Sequence, residues 1–292
     1  MHEVKTTRPT KVLFPKDGIT KGEFIDYYRR IAPRMIPHLE GRPLAMQRFP
    51  DGIEKFGFFQ KAAAPYYPQW IRKVIVKKAG GTVQHVICED TDTLVYLANQ
   101  ACITFHTWLS RDDRIHFPDE LIFDLDRSAA ALSDVIDGAH LLKAILHDLD
   151  LPAFLKATGG NGLHVVVPLQ PMHDFETVRS FARSVAQRLI EQDPSRYTLE
   201  IHKAKRGRRV FVDINRNAYA QTAVAPYSVR ARDGAPIAIP IAWSELGKRN
   251  FRPDAVTIRN VFDRAHDPWK DFRRRAVSLD HALGRLEQHH AA

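Results

Sequence analysis

The sequence predicts an α+β fold, on three observations. Strand-like and helix-like patterns alternate through the middle of the chain, from about 115 to 245. Short β-like pieces dominate the first hundred residues. Two apolar runs end on aspartates: Leu121-Ile122-Phe123-Asp124-Leu125-Asp126 and Arg209-Val210-Phe211-Val212-Asp213. Runs of this length, bounded by polar residues, read as buried strands with acidic ends.

In order along the chain, the first segment extends to about Trp108. Thr20 and Glu23 have the spacing of a capping box, so a helix begins there, with Phe24, Tyr27, Tyr28 and Ile31 as its apolar stripe. β-like pieces follow over 44–49, 56–61, 74–76 and 83–87. A helical pattern over 91–101 puts Leu94, Leu97 and Ala98 on one side, and His106 comes after it. The second segment reads as strand 121–126, helix 132–149, strand 163–169, helix 175–191 and strand 210–214. In the 175–191 helix Val178, Phe181, Val185 and Leu189 face inward. The tail, 269–292, reads as basic and helical with a frayed end. The whole is expected to be a single domain, 1–292. Its parts are an N-terminal subdomain of about 1–115, a catalytic subdomain of about 116–250 and a C-terminal basic helical segment of about 251–292.

Composition narrows the function classes. A chain of 292 residues, 44% hydrophobic and 26% charged, can bury a sizeable core. No stretch approaches the roughly 20 apolar residues of a membrane span, so no membrane partner is expected. The first nine residues lack the apolar core of a signal peptide. Cys88 and Cys102 have no CxxC spacing, which argues against a disulfide framework or a structural zinc site and for a reducing, cytoplasmic location. The net charge of +9 is clustered: Lys203, Lys205, Arg206, Arg208 and Arg209 precede Asp213, and Arg216 follows it. Cations leading into an acidic site fit a phosphate-bearing partner, nucleic acid or nucleotide.

The acidic residues carry the chemistry. In a strand, residues i and i+2 share a face, so Asp124 and Asp126 project together while Leu125 turns into the core. Carboxylates crowded on one edge repel unless a cation sits among them. Between the two acidic runs lies Ala157-Thr158-Gly159-Gly160-Asn161-Gly162-Leu163-His164, a glycine-rich turn entering the strand Val165-Val166-Val167. Such a turn lets backbone amides face an anion, although it also serves as a plain strand connection. Three carboxylates beside it point to divalent-metal and nucleotide chemistry. For Asp213 a structural ion pair with the neighbouring basic residues is the alternative.

These three motifs closely resemble those of the archaeo-eukaryotic primase-polymerase superfamily, and within it the polymerase domain of bacterial DNA ligase D. Lys11-Val12-Leu13-Phe14-Pro15 with Lys21, Phe58-Phe59-Gln60-Lys61, Ala225 to Arg232 and Pro240 to Leu246 match in the same order, over roughly residues 5–250. The resemblance implies a primase-polymerase fold, with an RRM-like catalytic sheet packed against a second α/β subdomain. It implies two divalent ions, Mg2+ or Mn2+, held by Asp124, Asp126 and Asp213. It places Thr158, Asn161 and His164 against the triphosphate, together with Gly160 and Arg230, and leaves Lys203, Lys205 and Arg206 as alternative phosphate partners. Asn161 stands where the family often has lysine. Phe58 and Phe59 would abut the template and incoming bases, one of them also belonging to the core, with Lys61 near a phosphate. His106 is either a core histidine or, as the resemblance implies, a neighbour of the nucleotide sugar. Lys11 and Lys21 would hold the 5′-phosphate of a downstream strand.

The expected function is therefore template-directed nucleotidyl transfer by two-metal-ion phosphoryl transfer, extending primers at DNA ends and gaps in non-homologous end joining. A preference for ribonucleotides is expected from the resemblance. The implied partners are DNA ends and gapped duplex with a 5′-phosphate, nucleoside triphosphates (NTP or dNTP), the end-binding protein Ku and a DNA ligase, in a bacterial, nucleoid-associated setting. The chain reads as a stand-alone polymerase or an excised domain. The rivals are a primase that starts chains de novo and a non-catalytic DNA- or Ku-binding scaffold.

Overall fold

The structure is a computed structural model and describes residues 2–78 and 80–290. The chain divides into two compact units, each assembled from three stretches. The first comprises Met1–Asp113, Thr222–Ile239 and Asp254–Ala265; the second comprises Arg114–Gln221, Pro240–Pro253 and His266–Ala292. The contiguous boundaries drawn near 115 and 250 from the sequence are thus replaced by an interleaved arrangement.

The first unit opens with a small antiparallel pair, β1 (Val12–Phe14) and β2 (Ile19–Thr20). Helix α1 (Lys21–Leu39) follows, and its start is as expected: the Thr20 hydroxyl accepts the Glu23 amide while the Glu23 carboxylate accepts the Thr20 amide. Its stripe of Phe24, Tyr27, Tyr28, Ile31 and Met35 is buried. Strands β3 (Leu44–Arg48) and β4 (Phe58–Gln60) come next, then a hairpin of β5 (Lys73–Lys78) and β6 (Gly81–Val86), helix α2 (Thr91–Asn99) and strand β7 (Cys102–Trp108). An antiparallel sheet in the order β13-β7-β3-β4 forms the centre, with β13 (Thr222–Val224) arriving from far along the chain. His106 therefore lies on a central strand. The helical pattern over 91–101 obscured this, because two residues separate α2 from β7 and both segments are apolar. The thiols of Cys88 and Cys102 are both buried and unpaired, and burial pushes Cys102 up to about 12.

The second unit is built on a six-stranded sheet in the order β11-β12-β8-β10-β9-β14. Its members are β8 (Glu120–Asp126), β9 (Phe154–Ala157), β10 (Leu163–Pro168), β11 (Tyr197–Thr198), β12 (Val210–Asp213) and β14 (Ile239–Ile241). β12, β8, β10 and β9 run successively antiparallel, and β11 is parallel to β12. Helix α3 (Leu132–Asp148) packs on β8, β10 and β12, α4 (Phe175–Gln192) packs on β8 and β11, and the two helices touch each other. They cover the face where Val212, Leu125, Leu163 and Ala157 form a buried cross-strand row. A short helix, α5 (Lys203–Arg206), precedes β12.

The tail differs from its expectation. Among its described residues it is helical only in α6 (Asp280–His290), with a 3-10 turn at Arg273–Arg275. Pro253 and Pro268 interrupt the stretch before it, and Trp269 and Phe272 stack 4.5 Å apart as a buried apolar anchor. The indole of Trp269 donates to the Leu155 carbonyl at 3.0 Å, and Gln170 and Val277 share a 2.9 Å backbone bond. The expected frayed end falls on residues 291–292, outside the described residues. Among the described residues no helix is long and apolar enough to cross a membrane.

Gly162 permits the close pairing of β10 with β8: a Cβ there would sit 2.5 Å from the Leu125 carbonyl oxygen. That oxygen belongs to a central strand and cannot yield. Gly162→Ala should lower unfolding free energy by roughly 1–3 kcal/mol in chemical denaturation. Gly284→Ala, in α6 with no heavy atom nearby, should leave it unchanged or raise it by up to about 1 kcal/mol.

Candidate active site

One cross-strand row defines the site of the second unit. Asp213 of β12 lies directly opposite Asp124 of β8, Asp124 opposite His164 of β10, and His164 opposite Lys156 of β9. Asp126, two residues along β8, shares that face and lies opposite Phe211. Strand pairing thus brings together three carboxylates that are far apart in sequence. Asp124 and Asp213 are largely sheltered, at 16% and 15% side-chain exposure, while Asp126 is 45% exposed.

Two arginines partly neutralise this face. The Nε of Arg216 lies 3.5 Å from Asp124 Oδ2 and 3.6 Å from Asp213 Oδ2, bridging the two strands. The Nη1 of Arg206 lies 3.6 Å from Asp126 Oδ2. Arg206 is fixed in place: it donates to the carbonyls of Glu200 and Ile201 and to the Ser128 hydroxyl, and its guanidinium lies 3.8 Å over the Phe211 ring. It is 5% exposed, which removes it from the alternative phosphate partners expected from the sequence. Lys203 and Lys205 are exposed, as is Arg208.

Burial governs the electrostatics of Asp124 and His164. The imidazole of His164, 3% exposed, is pushed down to about 4 by burial, with Lys156 adding to the shift and Asp124 opposing it. Burial also resists ionisation of Asp124, but the cations facing it, protonated His164 and Arg216, hold its carboxyl down at about 2. At neutral pH His164 is uncharged, so Arg216 is then the cation that keeps Asp124 ionised. The Nε2 of His164 lies 3.5 Å from Asp124 Oδ1, while its Nδ1 is buried without a hydrogen-bond partner. An orphaned buried ring nitrogen marks a place where a ligand group or water is wanted.

The surrounding backbone is tightly set. Asp213 Oδ1 accepts the Asn215 amide at 2.8 Å, and Asp126 Oδ1 accepts the Ser128 amide at 3.0 Å. Asn217, fully buried, clamps Ile122 through both its amide and carbonyl, fixing β8 two residues before Asp124. The glycine turn is closed by Thr158, whose amide and hydroxyl both donate to the Gly162 carbonyl. Gly159 adopts φ 66°, a left-handed conformation that explains the residue. Asn161 is exposed at the tip and Gly160 is buried. Sequence reasoning missed Lys156 and Asn217, and it saw Arg216 only as one of several cations.

The remaining candidates lie in the first unit. Phe58 and Phe59 occupy β4, an edge strand, at 36% and 58% exposure; neither is in the core, contrary to the expectation for one of them. Successive residues of a strand face opposite ways. Phe59 therefore meets His106, ring centroids 5.5 Å apart, while Phe58 stacks beside Phe56 and under the Arg48 guanidinium. Lys61 is exposed just beyond. Lys11 pairs with Asp51 at 2.7 Å. Lys21 is 7% exposed, and its Nζ donates to Thr7 Oγ1 at 2.9 Å. Burial lowers its pKa, with Lys11 and then Arg8 adding to the shift. Arg230 follows an anchored segment in which Tyr28 accepts the Val229 amide and Ser228 accepts the Phe105 amide.

The carboxylate face fits a hard divalent cation by its chemistry, since the donors are oxygens and positive charge is already drawn to them. As the side chains stand, no group of three or more His, Cys, Asp or Glu among the described residues is arranged to hold a metal ion.

Comparison with known proteins agrees with this architecture. Residues 20–271 match the family model described as LigD, primase-polymerase domain. The chain is 35% identical over 262 residues to the multifunctional non-homologous end joining protein LigD of Mycolicibacterium smegmatis, covering 88% of this chain and 34% of that protein. It is 30% identical over 291 residues to the Pseudomonas aeruginosa protein of the same name, covering 97% of this chain and 35% of that one. The chain thus spans about a third of the length of these relatives. Among solved structures it superimposes on the polymerase domain from Mycobacterium tuberculosis ligase D in complex with DNA, with a TM-score of 0.88 and 29% identity, covering 94% of this chain and 99% of that one.

The electrostatics predict an acid-labile fold. Between about pH 6.5 and 4 the unfolded chain holds a proton on His164 that the folded chain refuses, so stability falls as pH drops through that window. Asp124 extends the loss from about 3.8 towards 2, because its carboxylate must be protonated against its partners. In metal-free buffer, denaturation between pH 7 and 4 should show a decline on the order of 1–3 kcal/mol that His164→Gln flattens.

Proposed function

The chain belongs to the LigD primase-polymerase domain family, and on that premise we propose that it is a template-directed nucleotidyltransferase extending primer strands at DNA ends and short gaps. The observation that carries this reading is the register that sets Asp213 opposite Asp124, with Asp126 on the same face.

On this reading Asp124, Asp126 and Asp213 hold divalent ions, Mg2+ or Mn2+. When bound, such ions supply charge neutralisation at a triphosphate and lower the pKa of a primer 3′-hydroxyl. The chain's own residues do the rest. The strands fix the carboxylates in position before substrate arrives, so little reorganisation is needed at the moment of reaction. Thr158, Gly160, Asn161 and His164 form the triphosphate side of the site, with the unpartnered His164 Nδ1 as one point of contact. Arg230 offers the planar fork of donors that suits phosphate. The exposed Lys203, Lys205 and Arg208 meet the nucleic-acid backbone. Phe58 and Phe59 stack on bases without regard to their identity, as templated synthesis requires, with His106 beside the sugar and Lys61 near a phosphate.

Lys11 and Lys21 take the 5′-phosphate of the strand beyond the gap. Lys21 supports this assignment: it is a nearly buried ammonium, hydrogen-bonded to a hydroxyl and crowded by other cations. An arriving phosphate relieves that crowding. Ribonucleotide preference, a bacterial nucleoid setting and cooperation with Ku and a ligase belong to the same proposal. The first two named relatives are non-homologous end joining proteins.

Primer extension on a gapped duplex tests the proposal, with and without a 5′-phosphate, with ribo- or deoxynucleotides, under Mg2+ or Mn2+. Asp213→Ala should abolish incorporation while retaining the wild-type circular dichroism spectrum. Lys21→Ala should erase the advantage of the 5′-phosphate while leaving extension of an open primer-template within about twofold, since a lost phosphate contact weakens binding rather than chemistry. Incorporation by Asp213→Ala at the wild-type rate would refute the assignment.

A further inference from the structure

The two arginines on the carboxylate face are held in different ways. Arg206 is 5% exposed and fastened by two backbone carbonyls, a serine hydroxyl and an aromatic ring, so it is part of the scaffold. The side chain of Arg216 is 41% exposed, and its contacts here are the two carboxylates at 3.5 and 3.6 Å. It sits in a 3-10 turn, Asn215–Asn217, just past the end of β12. The carboxylates it bridges are the sheltered pair, Asp124 and Asp213.

We propose that Arg216 is a displaceable counter-ion, occupying the place of a cation between Asp124 and Asp213 and leaving it when a divalent ion binds. This rests on the reading of the three aspartates as ligands of divalent ions. With both arginines in contact, the three carboxylates keep one net negative charge. With Arg216 turned away they keep two, which matches one divalent ion. Arg216 therefore has two effects. It keeps two like charges together in the folded chain before any ion arrives. It also taxes every ion that binds, because the binding-competent state is the one in which the guanidinium has left. The metal affinity of the site is set by this exchange as well as by the ligands.

The test is Mn2+ binding by titration calorimetry to the wild type, Arg216→Gln, Arg216→Lys and Asp124→Asn, with thermal melts of each in chelator and in Mn2+. Arg216→Gln should bind Mn2+ about three- to tenfold more tightly than the wild type, the worth of two partly exposed ion pairs. In chelator it should melt below the wild type, and it should gain more from Mn2+. Arg216→Lys, a point charge that engages two carboxylates less well, should fall between the two, and it carries the test should the glutamine variant not fold. Equal or weaker Mn2+ binding by Arg216→Gln, or by the lysine variant in its place, would overturn the counter-ion role. Mn2+ binding absent from the wild type, or undiminished in Asp124→Asn, would overturn the metal-ligand reading itself and the counter-ion role with it.

Discussion

Like charges forced onto one face of a sheet are the constraint around which the second unit is arranged. Antiparallel register is unforgiving: once β12 pairs with β8 so that Val212 meets Leu125 in the core, Asp213 must meet Asp124 on the other side. The apolar row and the acidic row are two readings of the same pairing. Slippage of β12 by one residue would turn Asp213 onto the core face beside Leu125 and expose Val212. The cost of crowding the acids is therefore tied to the packing of the core, and it is met by Arg206 and Arg216 from neighbouring turns.

The two arginines divide the labour. Arg206 closes α5 back onto β8 and belongs to the framework as much as to the electrostatics, since its contacts are mostly to backbone carbonyls and to Phe211. Arg216 contributes charge alone. His164, uncharged near neutrality, contributes a hydrogen-bonding edge, and Lys156 beneath the tail's Trp269 completes the row. The face thus combines sheltered carboxylates, a scaffold cation in Arg206, a more exposed cation in Arg216 and a buried ring nitrogen without a partner.

Much of this was legible in the sequence. Asp124 and Asp126 are two apart in an apolar run, which assigns them a common face, and Thr20 with Glu23 marks the start of α1 through a purely local interaction. Strand–helix alternation predicted β8, α3, β10, α4 and β12, whose periods are clear, while the short β9, β11 and β14 went unread. What could not be read depends on partners distant in sequence. β7 was given no element, since the apolar residues after the 91–101 pattern do not by themselves distinguish a central strand from a buried connection. Phe58 and Phe59 seemed half committed to a core, because an edge position is a property of the sheet and not of the strand. Arg206 looked like one of six similar cations; its burial is decided by Glu200, Ile201 and Ser128, which no spacing rule connects. The tail was read as basic and helical throughout, although Trp269 and Phe272 pack its beginning as an apolar anchor.

The shielded thiols have a practical consequence. The chain has two cysteines, and both are fully enclosed in the first unit with their ionisation suppressed. Alkylating dyes and spin labels react through the thiolate, so the native chain is a quiet background for them. A cysteine introduced in the exposed stretch from Lys203 to Arg208, or beside Phe56, would take up a reporter selectively without first stripping out the native pair. Movement of either region could then be followed by fluorescence or electron spin resonance in an otherwise unaltered molecule.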